Sequence, residues 1–503
     1  MEQDHPSEEQ LIALAKADPE AIGKLCFELF KRVAALQAKV ESLEAKIAEL
    51  ERNSRTSSKP PSSDSGNFTN PPKPKSLRGK SGRKPGGQKG RRGDTLERVA
   101  DPDHLIEHRL SRKDLCPKCG TAMDEAAGEL SPENCECRQV FELPAIRLEI
   151  TEHRAEKRPC HQCGSVVTAV FPEGVLAPVQ YGPKVRAAAL YLGAYQLVPY
   201  QRLSEIFSDL FNAPLSFGTL ANIIKRGGAR AKETMKPVRE ALVKVEVAHA
   251  DETGCRVKGK RQWLHVFSTA KLTSFHIDTK RGYEGMNRIG LLERFKGSLI
   301  HDFLSSYYQL LCSHFLCAAH LLRELTYLHE QMDQPWAKDM IELLLKAKKL
   351  REREDAREPK QRHVIGEQTR QNIRRRYCEI VIAGLAINPE PSPNPKRRGR
   401  PKRGKALNML IRLEDRYEEI MGFFEHEGVP FDNNQAERDL RMMKVREKIS
   451  GTFRTAEHAT LFADIRGVVS TARKQSRNLL ATLAEMLHAP ETLGESLVEG
   501  AKS

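Results

Sequence analysis

Three carboxylates stand where a β-sheet could gather them. In VKVEVAHADETG, Val243, Val245 and Val247 alternate on one strand face, and the same period carries Asp251 to that face at the strand's end. In GSLIHDF, Asp302 likewise closes a short apolar run. If these two strands lie adjacent and parallel, both carboxylates meet at one sheet edge and can bridge divalent cations. Two Mg2+ (or Mn2+) ions about 4 Å apart would activate a water or a 3′-hydroxyl and stabilise the leaving oxygen of a phosphodiester. A third carboxylate is needed to complete the second site. The choice is Glu437, in FDNNQAERDLRMMKVREKISGTFRT, near the start of a helix whose Arg438, Arg441 and Lys444 could hold a DNA backbone. The plain alternative is structural: an acid after a strand is a common turn residue, and Glu437 follows Asn434 at capping-box spacing. Glu252 and Asp278 are rivals for a place in the set, because one slip in register presents Glu252 instead of Asp251.

A second chemistry is written in thiols. CPKC at Cys116 and Cys119 and CHQC at Cys160 and Cys163 are CxxC knuckles, and tetrahedral zinc wants four such thiolates. Glycine directly after each pair, Gly120 and Gly164, permits the close backbone approach of a zinc ribbon. Cys135 and Cys137, in CEC, could replace one pair. Redox or incidental cysteines are the alternative to a metal site.

Charge points to the partner. The formal net charge of +15 implies a polyanion, since each Lys or Arg laid on phosphate releases a counterion. Nine basic residues and no acid lie between Lys73 and Arg92, among them Arg83, Lys84, Arg91 and Arg92, in a Ser, Pro and Gly setting that cannot bury a core. A second basic string, KRRGRPKRG, places Arg398, Arg400 and Arg403 like an AT-hook, whose arginines enter the narrow minor groove of A·T tracts. For both strings the alternative is a solvated tether. No apolar run approaches the roughly 20 residues of a membrane span, and the start, MEQDHPSEEQ, lacks a secretory signal pattern, so a cytoplasmic location is expected.

These groups need elements to position them. Residues 1–52 read as a helical, leucine-zipper-like coiled coil: Cys26, Val33, Val40 and Ile47 form one seam position and Ile22, Leu29, Leu36, Leu43 and Leu50 the other. Lys39 and Lys46 stand where they could meet Glu44 and Glu51 of a parallel partner, giving a homodimer or higher oligomer; the alternative is an amphipathic helix on the chain's own core. Residues 53–100 form the basic linker, and 101–180 a zinc-binding domain of short strands and turns. Residues 181–240 are helical and resemble a helix-turn-helix, with Ser216 as a cap; two ordinary packed helices are the alternative. Four strand-like runs then open a domain over 241–455, interrupted by helices at about 315–430, and 456–503 closes the chain in helices.

HADETG, the aspartate in LIHDFLSSY, the CAAHLLREL that follows and DNNQAERDLR resemble the catalytic domain of transposases of the insertion-sequence-66 family. The N-terminal heptads, NSRTSSKPPSSD and the CPKCG to CHQCG segment match that family's order of zipper-like region, linker and zinc-binding domain. The resemblance implies a multidomain α/β chain with an RNase H-like catalytic domain, a helical insertion, and a DDE triad mapping to Asp251, Asp302 and Glu437. It also implies strand cleavage and transfer on the element's terminal inverted repeats and target DNA, and accessory proteins encoded beside it. Cys317 and His320 fall in a family-like CxxH string, for which a buried helix face is the plain reading. Two rivals stand beside this: a DNA-binding architectural or regulatory protein with structural carboxylates, and an RNase H-like nuclease without strand transfer.

Overall fold

The computed structural model describes residues 12–13, 16–50, 96–111, 113–124, 135–144, 146–357, 365–391 and 403–502. The basic linker with Arg83, Lys84, Arg91 and Arg92, and the hook residues Arg398 and Arg400, lie outside the described residues. Among the described residues, no helix is long and apolar enough to cross a membrane.

The first element is a 32-residue helix, α1 (Pro19–Leu50), with proline at its first position and Glu20 in its first turn. Its stripe of Leu29, Val33, Leu36, Val40 and Leu43 is exposed.

Two compact units divide the rest. One takes 96–151 and 210–212; the other takes 152–209 and 213–502. In the first, Leu115 and Ala122 bridge across the Cys116 knuckle, and Gln139 clamps the backbone of Val99 through two 2.8 Å bonds. The strands expected through 101–180 reduce to a short antiparallel ladder of β1 (Lys157–Pro159) and β2 (Val166–Thr168) in the second unit. The physical reason is visible at Leu143, Ile146 and Ile150: these apolar residues are exposed, so no buried face sets a register.

The larger unit continues with α2 (Pro183–Leu190), which runs into a π-helical turn at Tyr191–Tyr195, then α3 (Tyr200–Phe211) and α4 (Phe217–Val243). Ser216 caps α4 by accepting from Thr219 N at 3.1 Å. The helix then runs on for 27 residues and packs on the C-terminal helices, with Ala231, Met235, Val238 and Leu242 fully buried. This corrects the period-two reading of Val243 and Val245: the helical period of that buried row extends α4 through Val243, and the strand begins at Val247.

The sheet holds β3 (Val247–Val257), β4 (Lys260–Ser268) and β5 (Thr273–Asp278), followed by the short helix α5 (Tyr283–Ile289), then β6 (Ser298–His301) and β7 (Ser313–Leu316). Its order is β5-β4-β3-β6-β7; the first three strands are an antiparallel meander, and β3–β6 and β6–β7 are parallel. Gly297 lets β6 begin close beside β3, since a Cβ there would meet Val245 O at 2.6 Å and Glu246 O at 2.5 Å.

Helices α6 (Ala318–Met332), α7 (Pro335–Asp355), α8 (Glu367–Ile387), α9 (Lys405–Asp415) and α10 (Tyr417–Glu425) form an insertion with its own core. Leu325, Met340, Leu344, Leu410 and Phe424 lie at its centre, continuous with Ile300 of β6 and Phe315 of β7. The chain returns to the sheet with α11 (Asn434–Ser450) and α12 (Ala456–Lys474), then closes with α13 (Leu479–His488) and α14 (Pro490–Lys502). Ala436, Leu440 and Met443 of α11 pack on Cys255, Val257, Leu264 and Val266, which fixes the helix to one sheet face. Beyond α11, Phe453 forms a parallel bridge with Val257 and exchanges 2.8 Å backbone bonds with Arg256 and Lys258.

Candidate functional site

The parallel register pairs Val247 with Ser298, Ala248 with Leu299 and His249 with Ile300. Carried two rungs further, it sets Asp251 beside Asp302, where β6 has ended. Asp302 therefore leaves β6 beside Asp251, which lies inside β3 and not at its end as the alternation suggested, because β3 runs on to Val257 in its ladder with β4. Ligand oxygens of Asp251, Glu252 and Asp302 all lie within 4.8 Å of one another.

Adjacent residues of a strand point to opposite faces, and the cross-strand pairs show which is which. Asp251 pairs with Val266 on the α11 side, whereas Glu252 pairs with His265 on the other. Glu252 reaches the group because its longer side chain is held there. Arg281 Nε donates to Oε1 at 2.7 Å and Tyr307 Oη donates to Oε2 at 2.7 Å, and the side chain is fully buried. Asp251 Oδ1 accepts from Glu252 N at 2.8 Å, and Asp302 Oδ1 accepts from Leu304 N at 2.9 Å. Arg281 Nη2 lies 3.8 Å from Asp302 Oδ2.

Burial raises the Asp251 carboxyl well above its ordinary range, and the negative charges of Glu252 and Asp302, then Glu437, add to it. Asp302 is pushed up to about 6, first by burial and then by Glu252, against the lowering effects of the Leu304 amide and Arg281. Among the described residues, Arg281 alone offsets these three crowded carboxylates, and hard oxygen donors at this spacing suit a divalent cation.

Glu437 stands in the first turn of α11, outside the 4.8 Å group. Its side chain does not close a capping box. Oε1 accepts from Arg323 Nη2 at 3.1 Å and sits 3.6 Å from His320 Nε2. Burial, then the Arg323 charge, pushes His320 down to about 3, so this imidazole is neutral and the contact is not an ion pair. Asp278 is held elsewhere, accepting from Arg288 Nε at 3.0 Å and Lys280 N at 2.7 Å.

The start of α11 is anchored by Asn433, which is fully buried. Its amide Nδ2 donates to Ala250 O at 2.8 Å, its Oδ1 bonds His249 Nδ1 at 2.8 Å, and its backbone N–H donates to Cys317 Sγ at 3.1 Å. Cys317 thus joins the insertion to the Glu437 helix. Sequence reasoning missed Asn433, Arg281 and Tyr307; the asparagine doublet in FDNNQAE was the one signal available.

Among the basic residues, Arg438 and Arg441 are exposed. Lys444 instead donates to Gly254 O at 3.2 Å and lies 3.8 Å from Glu447, and Arg403 pairs with Glu390. The two cysteine knuckles have matching turns. Gly120 and Gly164 take φ of +75° and +71°, each donating to the first cysteine's carbonyl at 2.8 Å. Cys119 Sγ bonds Thr121 Oγ1 and Cys163 Sγ bonds Ser165 Oγ, each at 3.3 Å. These hydroxyl bonds, with backbone amides behind them, bring the Cys119 thiol down to about 7 and lower that of Cys163. Cys135 and Cys137 lie with sulfurs 3.3 Å apart.

Two family models match this chain. One, described as Transposase IS66 family, matches residues 178–461, a span holding the whole sheet, the insertion and α11. The other, a family of unknown function, matches residues 4–97. Comparison with curated proteins returns no match.

Proposed function

The chain belongs to the Transposase IS66 family, and from that membership we propose that it binds the terminal inverted repeats of an insertion sequence and cleaves and joins DNA strands at Asp251, Asp302 and Glu437. The observation that carries this reading is the meeting of Asp251, within β3, with Asp302, just past the end of the parallel strand β6, inside a group of oxygens no more than 4.8 Å apart. An antiparallel meander continued by two parallel strands, with the acid-bearing pair β3 and β6 adjacent, supports an RNase H-like domain.

Asp251 and Asp302 are the residues that would hold Mg2+ or Mn2+. Divalent cations bound there supply Lewis-acid activation of a water or 3′-hydroxyl and stabilise the departing oxygen. Arg281 and Tyr307 keep Glu252 in the group, and Arg323 and His320 orient Glu437 in the first turn of α11. Arg438 and Arg441, exposed on the same helix, would hold the DNA backbone. A second assignment, in which Glu252 supplies the third carboxylate, is favoured by its distance to the two aspartates.

The matching knuckle turns, with the lowered thiols of Cys119 and Cys163, support each CxxC pair, Cys116 with Cys119 and Cys160 with Cys163, as zinc-ligating. The exposed apolar stripe of α1 supports pairing with the same helix of a second copy. The reading is tested by incubating purified protein with labelled element ends and Mg2+. Wild type should cut and join strands and Asp251→Asn should not; equal cleavage by both overturns the catalytic assignment.

A further inference from the structure

We propose that the hairpin of β3 and β4 is a DNA arm, gripping the phosphate backbone of the duplex that leads away from the carboxylates. The inference rests on the reading of this chain as a DNA transposase, but names a surface which that reading does not assign. Between Thr253 and Trp263 the hairpin carries Arg256, Lys258, Lys260 and Arg261 and no acid. All four are exposed. Arg454, also exposed, is brought alongside by the bridge between Phe453 and Val257.

Two features of the hairpin cost it stability, and a bound polyanion would relieve the first. Arg256 and Arg261 stand directly opposite each other in the ladder, and like charges in that relation repel. At the tip, Lys258 and Gly259 take φ of +51° and +75°, a turn that favours asparagine and glycine; a lysine is held there instead. The tip is nonetheless fixed. Lys258 N donates to Phe453 O at 2.8 Å and Gly259 N to Thr452 Oγ1 at 3.1 Å, so the charges sit on a rigid mount.

The charged face continues toward the acids. Trp263, paired across from Gly254, has the Arg261 guanidinium 5.8 Å and the Arg281 guanidinium 5.1 Å from its ring centroid, and Arg281 bonds Glu252. Seven residues separate Asp251 from Lys258, roughly 23 Å of extended strand. A backbone lying along this face would therefore be held about seven base pairs from the reacting phosphate, at the usual 3.4 Å per step.

The test measures binding of a fluorescent 30-base-pair duplex of arbitrary sequence as a function of salt. Each phosphate contact contributes about 0.9 to the slope of log affinity against log salt. The variant carrying Arg256→Gln, Lys258→Gln, Lys260→Gln and Arg261→Gln should lose about 3.6 from the wild-type slope. A control with the same change of charge on α7, Lys338→Gln, Lys346→Gln, Lys349→Gln and Arg353→Gln, should keep it. An unchanged slope in the hairpin variant, or an equal loss in the control, overturns the arm. A wild-type chain that binds no duplex at any salt instead overturns the transposase reading beneath it. The single change Arg256→Glu gives an independent check: facing Arg261, it should raise the thermal midpoint without DNA while weakening DNA binding. A fall in both would mean a merely structural role and end the proposal.

Discussion

Asn433 donates its side-chain amide to the carbonyl of Ala250 at 2.8 Å, which ties the residue before α11 to the strand position just before Asp251. The same side chain bonds His249, so one buried amide sets the spacing between the Glu437 helix and the Asp251 strand. Asn433→Ala leaves both partners without it. We expect a loss of about 2–3 kcal/mol in urea unfolding, since buried polar groups lose their bonds with no water to replace them. Strand cleavage should fall further than the folded fraction does. Unaltered cleavage per folded molecule would show that the spacing does not depend on this residue.

Glu252 and Glu437 compete for the third carboxylate, and isothermal titration with Mg2+ separates them. If Glu252 is a ligand, Glu252→Gln weakens metal affinity by more than the roughly 10- to 100-fold that loss of a residue merely supporting a ligand costs, while Glu437→Gln leaves affinity near that of wild type. The reverse ranking places the ligand on α11. Arg281 is a partner of Glu252 in either case, so thermal unfolding of each variant should accompany the titration.

The raised pKa of Asp302 predicts a pH dependence with a definite sign. The folded chain binds this proton more tightly than the unfolded chain does, so the contribution of Asp302 to stability is best below its unfolded value near 3.8 and declines as pH rises through about 6. In EDTA, Asp302→Asn should therefore stabilise the chain at pH 7 and do little at pH 4. The gain at pH 7 is at most about 3 kcal/mol, from roughly 1.4 kcal/mol per pKa unit. Mg2+ competes with the same proton, so stabilisation by the metal should grow from pH 5 to pH 7. A metal effect independent of pH over that range would remove Asp302 from the ligands.

Zinc content checks the knuckles directly. Metal analysis of Cys116→Ser and of Cys163→Ser should show loss of zinc relative to wild type, with Cys135→Ser unchanged. Gly120→Ala should also lower zinc retention, because an alanine at φ +75° strains the turn by about 1 kcal/mol. Wild-type protein purified without zinc, and indifferent to added zinc, would leave the cysteines without this role.

Much of the acid-bearing sheet is legible in the sequence because its signals are local. A short apolar run closing on an acid reads as β6 followed by Asp302, and HADETG falls on β3, although Asp251 lies inside that strand and not at its end. Ser216 before a helical period reads as a cap, which it is. The failures come where local and distant demands compete. Val243 and Val245 alternate as a strand would, yet the buried row of α4 carries the helix through Val243. The apolar residues of 101–180 suggest strands, but without a packed face most remain unpaired. Arg281, Tyr307 and Asn433 act across gaps of 29, 55 and 183 residues, and no spacing rule in one sequence reaches that far.

Helix α11 is fastened to β3 at both ends, by Asn433 on Ala250 and, just past the helix, by Phe453 on Arg256 and Lys258. With Leu440 and Met443 packed between these fixings, strand and helix cannot slide or roll independently. Asp251 and Glu437 therefore share one braced unit, in which the gap between strand and helix is pinned from both sides.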